Sequence, residues 1–247
     1  MTREPARLDP GLYARSFVDV YDEWYEHLHD VDEIARAVTQ RVGPRTTVVE
    51  LGSGSGRIAG PLTRQHTVIA LDSSVAMLQL DPSASLPIGG DMADLPLADD
   101  AVDAAIVAYN TFFNLATDDQ QRRSLDEIRR VLRPGGWVVI EAFIAPTADP
   151  ATPFGISIVP HHTRPEARMA IATWNDPDDP NLITGAHIEL GPDGTRSRPW
   201  CLAYHSPAAI DDAAAGCGLE LVERHADWAG TEFDPAGVRH VSWYRSA

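Results

Sequence analysis

The sequence of 247 residues predicts an α/β protein, a doubly wound and mostly parallel sheet with an antiparallel β insertion. Three observations predict it. From about residue 30 to 144, short and nearly continuous apolar runs alternate with amphipathic helical stretches, as buried parallel strands covered on both faces require. The first of these runs ends in a glycine-rich loop that opens a helix. After residue 145 the chain turns proline-rich and then into alternating strands separated by turn signals.

In chain order, residues 11–29 carry Tyr13, Phe17, Tyr21, Trp24 and Tyr25 at irregular helical spacing and form, with the next helix, a helical lid over 1–44. Val31, Ile34, Ala35, Val38 and Val42 share one face of a helix over 31–42, which Asp30 can cap and Gly43-Pro44 ends. Thr46–Leu51 is the first strand, followed by Gly52-Ser53-Gly54-Ser55-Gly56 and a helix through Arg57–Arg64. Thr67–Leu71 is the second strand, closed by Asp72. Ser73 or Ser74 then caps a helix over Val75–Leu80. A brief extended stretch at Leu86–Ile88 leads into Gly89-Gly90-Asp91-Met92, and Val102–Ala108 is a strand ending at Tyr109-Asn110. Thr117 and Gln120 make a capping box for a helix over 118–133, with Leu125, Ile128, Val131 and Leu132 as its core face. Pro134-Gly135-Gly136 stops it before the strand Trp137–Ile144, which completes a core over 45–144.

Residues 145–165 hold five prolines and little periodicity. Strands at Arg168–Trp174, Leu182–Leu190 and Ser197–Tyr204, with Gly191-Pro192-Asp193-Gly194 as a turn, fill an insertion over 145–205. Ser206-Pro207 opens a helix that ends near Gly216–Gly218. Leu219–Asp227 and Val238–Arg245 read as an antiparallel pair that finishes the segment 206–247.

Composition removes several function classes. The net charge is -16, and all 20 bases are arginine. Such a field disfavours nucleic acid and anionic membrane surfaces as partners. The absence of lysine excludes a Schiff base and a P-loop lysine on this chain. Cys201 and Cys217 have no metal-ligand spacing, and Asp99-Asp100 and Asp176-Pro177-Asp178-Asp179 read as turns, so no metal is expected. No apolar run approaches the roughly 18 residues of a membrane span. Met1–Pro5 has no apolar stretch, so a soluble, cytoplasmic protein is expected. A homodimer is the assembly considered.

The chemistry concentrates around the first loop. Its glycines are spaced GxGxG, and Arg57 stands where the third glycine of a dinucleotide fingerprint would fall. Glu50 places a carboxylate beside the loop, which would repel a pyrophosphate but not a ligand bearing ammonium and sulfonium charge. Asp72, at the tip of the second strand, can take both hydroxyls of a ribose. Asp91 and the amides around it can meet an adenine.

The ordered set Val-Glu-Leu-Gly-Ser-Gly-Ser-Gly, Ala-Leu-Asp72-Ser-Ser-x-x-Met77-Leu, Gly-Asp91-Met and Val-Leu-Arg-Pro-Gly-Gly resembles the class I S-adenosylmethionine-dependent methyltransferases over about residues 45–144. Residues 206–245 follow the family by topology. The resemblance implies a seven-stranded Rossmann-like sheet with its last strand inserted antiparallel, S-adenosylmethionine as cofactor, and a small-molecule acceptor. It implies that Gly52, Gly54 and Gly56 line the methionine moiety, Asp72 holds the ribose, and Asp91 with Met92 frames the adenine. Tyr21, Glu50, Ser53, Arg57, Ser73, Met77 and Tyr109 complete the expected cofactor contacts. Glu50 stands where the family more often has Asp, and Ser53 where Cys is frequent.

The Asn/Asp-Pro-Pro-Tyr signature of amino-methylating nucleic-acid enzymes is missing, and Tyr109-Asn110-Thr111-Phe112-Phe113-Asn114 stands in its place. The insertion is similar to that of methyltransferases acting on amino sugars and related natural products, where added strands roof the acceptor. Acceptor contacts are expected from Tyr13, Trp24, Tyr25, Asn110, Phe112 and Phe113. His161, His162 and Glu141 are the candidate proton acceptors, whereas His187 and His205 read as structural. The expected reaction is methyl transfer to an N or O nucleophile in secondary metabolism. Carbon, carboxylate or protein acceptors, a nicotinamide-dependent oxidoreductase and a non-catalytic cofactor-binding module are the alternatives.

Overall fold

The computed structural model describes residues 11–25, 31–83, 85–144, 154–161, 163–192 and 194–247. Asp30, His162 and Asp193 lie outside the described residues. Two short helices, α1 (Leu12–Phe17) and α2 (Tyr21–Tyr25), precede the longer α3 (Val31–Val42). There follow β1 (Thr47–Leu51), α4 (Ala59–Leu62), β2 (Thr67–Asp72), α5 (Val75–Leu78), β3 (Leu86–Gly89) and β4 (Val102–Val107). A 3-10 turn at Thr111–Asn114 leads to α6 (Asp118–Val131) and β5 (Leu132–Phe143). The remaining elements are β6 (Phe154–Pro160), β7 (Arg168–Asn175), β8 (Leu182–Gly191), β9 (Gly194–Ala203), α7 (Pro207–Gly216), β10 (Leu219–His225) and β11 (Arg239–Ser246).

Seven strands form one sheet in the order β10-β11-β5-β4-β1-β2-β3. β1 through β5 pair in parallel, and β11 enters antiparallel between β5 and β10. This is the expected fold class. One face of the sheet packs Val49, Leu51, Val107 and Ile140 against α6 and α7 through Leu125, Ile128, Ile210 and Ala214. The other packs Val48, Ala70 and Ile106 against Ile34 and Val38 of α3 and Ala59 and Leu62 of α4. Both faces are buried, which is why these strands read as unbroken apolar runs. β6 to β9 form a separate antiparallel sheet in sequential order, and α1, α2 and the turn between them pack Phe17, Trp24 and Val20 against its Met169.

Capping fixes the helix starts. Thr117 accepts the N–H of Gln120, Ser74 that of Met77, and Ser206 that of Ala209. The expected helices after the first and second strands are shorter than read, four residues each, because the glycine loop and Asp81-Pro82 limit them. β5 begins at Leu132 rather than Trp137. A register shift against β4 between Val102 and Ala104 absorbs Pro134-Gly135-Gly136 into the strand. β6 was not expected within 145–165. It is an edge strand exposed along most of its length and bounded by Pro153 and Pro160, so it carries no buried-face alternation. Among the described residues no helix is long and apolar enough to cross a membrane.

Candidate active site

The chain runs outward from β1 in both directions along the sheet, so β1 and β4 flank a topological switch point where ligands bind beyond the carboxyl ends of strands. A cleft of about 560 Å³ opens there. Its floor is the loop after β1, where Gly52, Gly54 and Gly56 have φ of 70°, 58° and 77°. Residues with a Cβ rarely adopt that region. A Cβ on Gly52 would collide with the Thr111 methyl, and one on Gly54 would come within 3.3 Å of Met77 Cε. Gly52 and Gly54 line the cleft. Gly56 does not; the Asp81 carboxylate fills the space a side chain would need, so its role is packing beneath the loop. Ser53 is also buried away from the wall.

Glu50 departs from its expected place beside the ligand. Strand alternation sends it, with Val48, toward α3 and α4 rather than into the cleft. There burial pushes its carboxyl up to about 8 despite a hydrogen bond from the Ala59 backbone, and Oε2 has no hydrogen-bond partner. Asp72 does reach the cleft. Its Oδ2 accepts the N–H of Gly54 at 2.9 Å and its Oδ1 that of Ser74 at 2.7 Å, tying β2 to the loop. Burial raises its pKa against those two hydrogen bonds. Each oxygen keeps a further lone-pair position for a ligand hydroxyl. Ser73, Met77, Asp91 and Met92 continue the wall, with Asp91 turned by accepting the Ala93 N–H at 2.8 Å.

The lid closes one side. Ser55 donates to Asp22 at 2.5 Å, and Arg57 Nη1 donates to the carbonyl of Tyr25 at 2.6 Å. The Arg57 guanidinium also lies 5.0 Å from the Tyr109 ring, 5.3 Å from Tyr21 and 5.8 Å from Tyr25. The residue that breaks the dinucleotide fingerprint therefore fastens the lid to the loop. The Tyr13 and Tyr25 hydroxyls are 2.9 Å apart. Burial pushes Tyr21 up to about 12 and raises Tyr13 and Tyr25 as well, so at neutral pH all three are protonated phenols.

On the far wall, the small sheet contributes His187 from β8 and Trp200 from β9. The indole lies across Gly185, where any Cβ would collide with it, and its Nε1 donates to His187 Nδ1 at 3.1 Å. A neutral His187 therefore carries its proton on Nε2. Between the walls, Tyr109 and Asn110 are both left-handed, with φ of 51° and 64°. For a residue as bulky as Tyr109 this costs about 1–2 kcal/mol. Glu141 Oε2 accepts the Tyr109 N–H at 3.0 Å, Asn110 Oδ1 accepts the Phe143 N–H at 2.6 Å, and Arg239 donates to Glu141 Oε1 at 3.2 Å. Asn114 presents a buried Oδ1 with no hydrogen-bond partner.

Of the expected acceptor contacts, Tyr13, Tyr25 and Asn110 line the cleft, and Trp24, Phe112 and Phe113 do not. Trp24 is core between Phe17 and His161. Phe112 and Phe113 pack into the main core, where the 3-10 turn directs them, with Phe113 edge-on to Phe143 at 5.2 Å. His161 is buried outside the cleft, its Nδ1 accepting the N–H groups of Thr163 and Arg164 to close a turn. The reading of His187 as merely structural is corrected too, since it stands in the wall. His187, Trp200, Asn114, Phe143 and Arg239 were missed because no sequence spacing links them. An isolated glycine within a strand, Gly185, was the one available signal of a close approach.

Residues 49–140 match a family model described as a methyltransferase domain. The demethylmenaquinone methyltransferase of Mycobacterium bovis is 34% identical over 109 residues, which is 43% of this chain. That match spans 45% of the relative's own length. The CcbJ methyltransferase of Streptomyces caelestis is 32% identical, with a TM-score of 0.85 over 97% of this chain and 99% of that one. CalS10 of Micromonospora echinaspora, an amino pentose methyltransferase solved with S-adenosylmethionine bound, shares the fold at 19% identity. Its TM-score is 0.67 over 92% of this chain and 97% of that one.

Proposed function

Since this chain belongs to the S-adenosylmethionine-dependent methyltransferases, we propose that it moves the methyl group of that cofactor to a nitrogen of a small, largely apolar molecule. The observation that carries this reading is the junction of two dissimilar walls in one cleft. The glycine floor and Asp72 on one side suit an adenosyl amino acid, because Gly52 and Gly54 admit close backbone approach and Asp72 keeps lone pairs for ribose hydroxyls. The other side, with Tyr13, Leu115, Phe143, Trp200 and Leu202, is aromatic and apolar and is broken by a few polar atoms such as Asn114 Oδ1.

The cofactor, when bound, supplies a methyl group on a sulfonium whose thioether leaves readily. What the chain does is position and exclude. Arg57 and Ser55 hold α2 down over the loop, which keeps water from the line between donor and acceptor. Nitrogen is favoured over oxygen because the proton-accepting groups between the two walls and on the apolar side, Glu141, His187 and the tyrosines, are engaged or protonated. Glu141 accepts a backbone N–H and pairs with Arg239, His187 Nδ1 receives the Trp200 N–H, and the tyrosines are protonated. A hydroxyl must lose its proton as it attacks, whereas a neutral amine attacks through its lone pair and releases the proton afterwards. The test is turnover with matched pairs of small aromatic amines, phenols and alcohols, read by mass spectrometry as the gain of one methylene. Methylated amines are expected. Methylation confined to the oxygen compounds, or to carbon, would overturn the choice of nitrogen.

A further inference from the structure

We infer that Glu141 is a positioning residue that holds the Tyr109–Asn110 turn in its left-handed shape, and that it is not the base that takes a proton from the acceptor. The inference rests on the methyltransferase reading above and deepens it. Sequence placed Glu141 in the fifth strand as a candidate proton acceptor. Geometry gives both of its oxygens other work.

The chain leaves β4 through Tyr109 and Asn110, two consecutive non-glycine residues at positive φ. Such a pair persists only where its surroundings impose it. β5, which pairs with β4 in parallel, supplies the constraint from Glu141, one residue past the last paired position Val107↔Ile140. Oε2 receives the Tyr109 N–H at 3.0 Å, and the backbone carbonyl of Glu141 receives the Asn110 N–H at 3.3 Å. Asn110 returns the tie, its Oδ1 accepting the N–H of Phe143 at 2.6 Å. Three hydrogen bonds thus close two adjacent strand ends on one another. Oε1 of the same carboxylate faces Arg239, at the start of β11, with Nη1 at 3.2 Å. Glu141 is itself buried, so its charge depends on these partners.

The consequence for the site runs through Tyr109. Its ring is 5.0 Å from the Arg57 guanidinium, which in turn grips the Tyr25 carbonyl. The next residue but one, Thr111, carries the methyl packed where a Gly52 side chain would be. A turn that relaxed toward the right-handed region would displace the Tyr109 ring from Arg57 and Thr111 from the loop. Glu141 stands at the cleft wall and is coupled to the glycine-loop half through Tyr109 and Thr111.

The experiment compares Glu141→Gln and Glu141→Ala with the native protein, measuring S-adenosylhomocysteine affinity by calorimetry and turnover from pH 6 to 9. Gln keeps an oxygen for the Tyr109 N–H but cannot take a proton. A positioning role predicts that Gln stays within about threefold of native in affinity and turnover with an unchanged pH profile, while Ala loses about tenfold or more in affinity. Loss of turnover in Gln as deep as in Ala, with affinity intact in both, would make Glu141 the base and overturn the inference. Native behaviour of both variants would overturn it as well. If Ala fails to fold, Gln alone decides through its turnover and pH profile. Native protein that fails to bind S-adenosylhomocysteine would defeat the underlying reading instead, and is separable because it precedes any comparison of variants.

Discussion

At the scale of single residues, the half of the cleft proposed for the cofactor depends on side chains whose positions follow from strand ends. Asp72 finishes β2 and accepts N–H groups from Gly54 and Ser74, so its removal loosens the loop and, on the proposed reading, takes a ligand contact with it. Asp72→Ala should weaken S-adenosylhomocysteine binding by about 1.5–3 kcal/mol, the range for a hydrogen bond to a charged group. Unchanged affinity by calorimetry would remove Asp72 from the site. These residues were legible because local sequence dictates them: glycines at fixed spacing after an apolar run, an acid at the end of the next. Glu50 shows the limit of that legibility, since its adjacency to the loop in sequence says nothing about which face of β1 it occupies. His187 and Trp200 show another limit. They meet across neighbouring strands thirteen residues apart, and only the register of β8 against β9, which sets His187 opposite Arg198 and Trp200 opposite Gly185, makes the contact.

At the scale of elements, the two lid helices have five and six residues and cannot persist alone, because helix nucleation is unfavourable at that length. Tertiary contacts must hold them. Phe17 and Trp24 dock on the small sheet, and Arg57 and Ser55 fasten the Tyr25 carbonyl and Asp22 to the glycine loop. Arg57→Ala should therefore increase amide hydrogen exchange across residues 12–25 while leaving β1 and β2 protected, and should weaken cofactor-product binding by about 1–3 kcal/mol. Exchange in the lid indistinguishable from native would contradict the latch. The inner strands β1, β2, β4 and β5 were readable as apolar runs because they are buried between the two helical layers. β6 was not, because an exposed edge strand between prolines has no interior to pattern it. The parallel pairing of β4 with β5, and hence the closure of Glu141 on Tyr109, is likewise a property of topology rather than of any local motif.

For the molecule as a whole, one sheet with helices on both faces places the ends of β1, β2, β4, β5 and β11 around a single cleft, and the smaller sheet with the lid supplies its other wall. The glycine loop, Asp72 and Asp91 lie within the stretch that matches the methyltransferase domain model. The opposite side of the cleft is assembled from α1, α2, β8 and β9 together with Asn114, Leu115 and Phe143, which no single motif brings together. The excess of acids, with a net charge of -16, disfavours a phosphate-rich partner. The central claim is that the glycine cradle and Asp72 serve an adenosyl amino acid and not a dinucleotide. Calorimetric titration with S-adenosylhomocysteine, alongside NADP, tests it most directly. The account predicts saturable binding of S-adenosylhomocysteine and none of NADP; binding of NADP with no response to S-adenosylhomocysteine would contradict it.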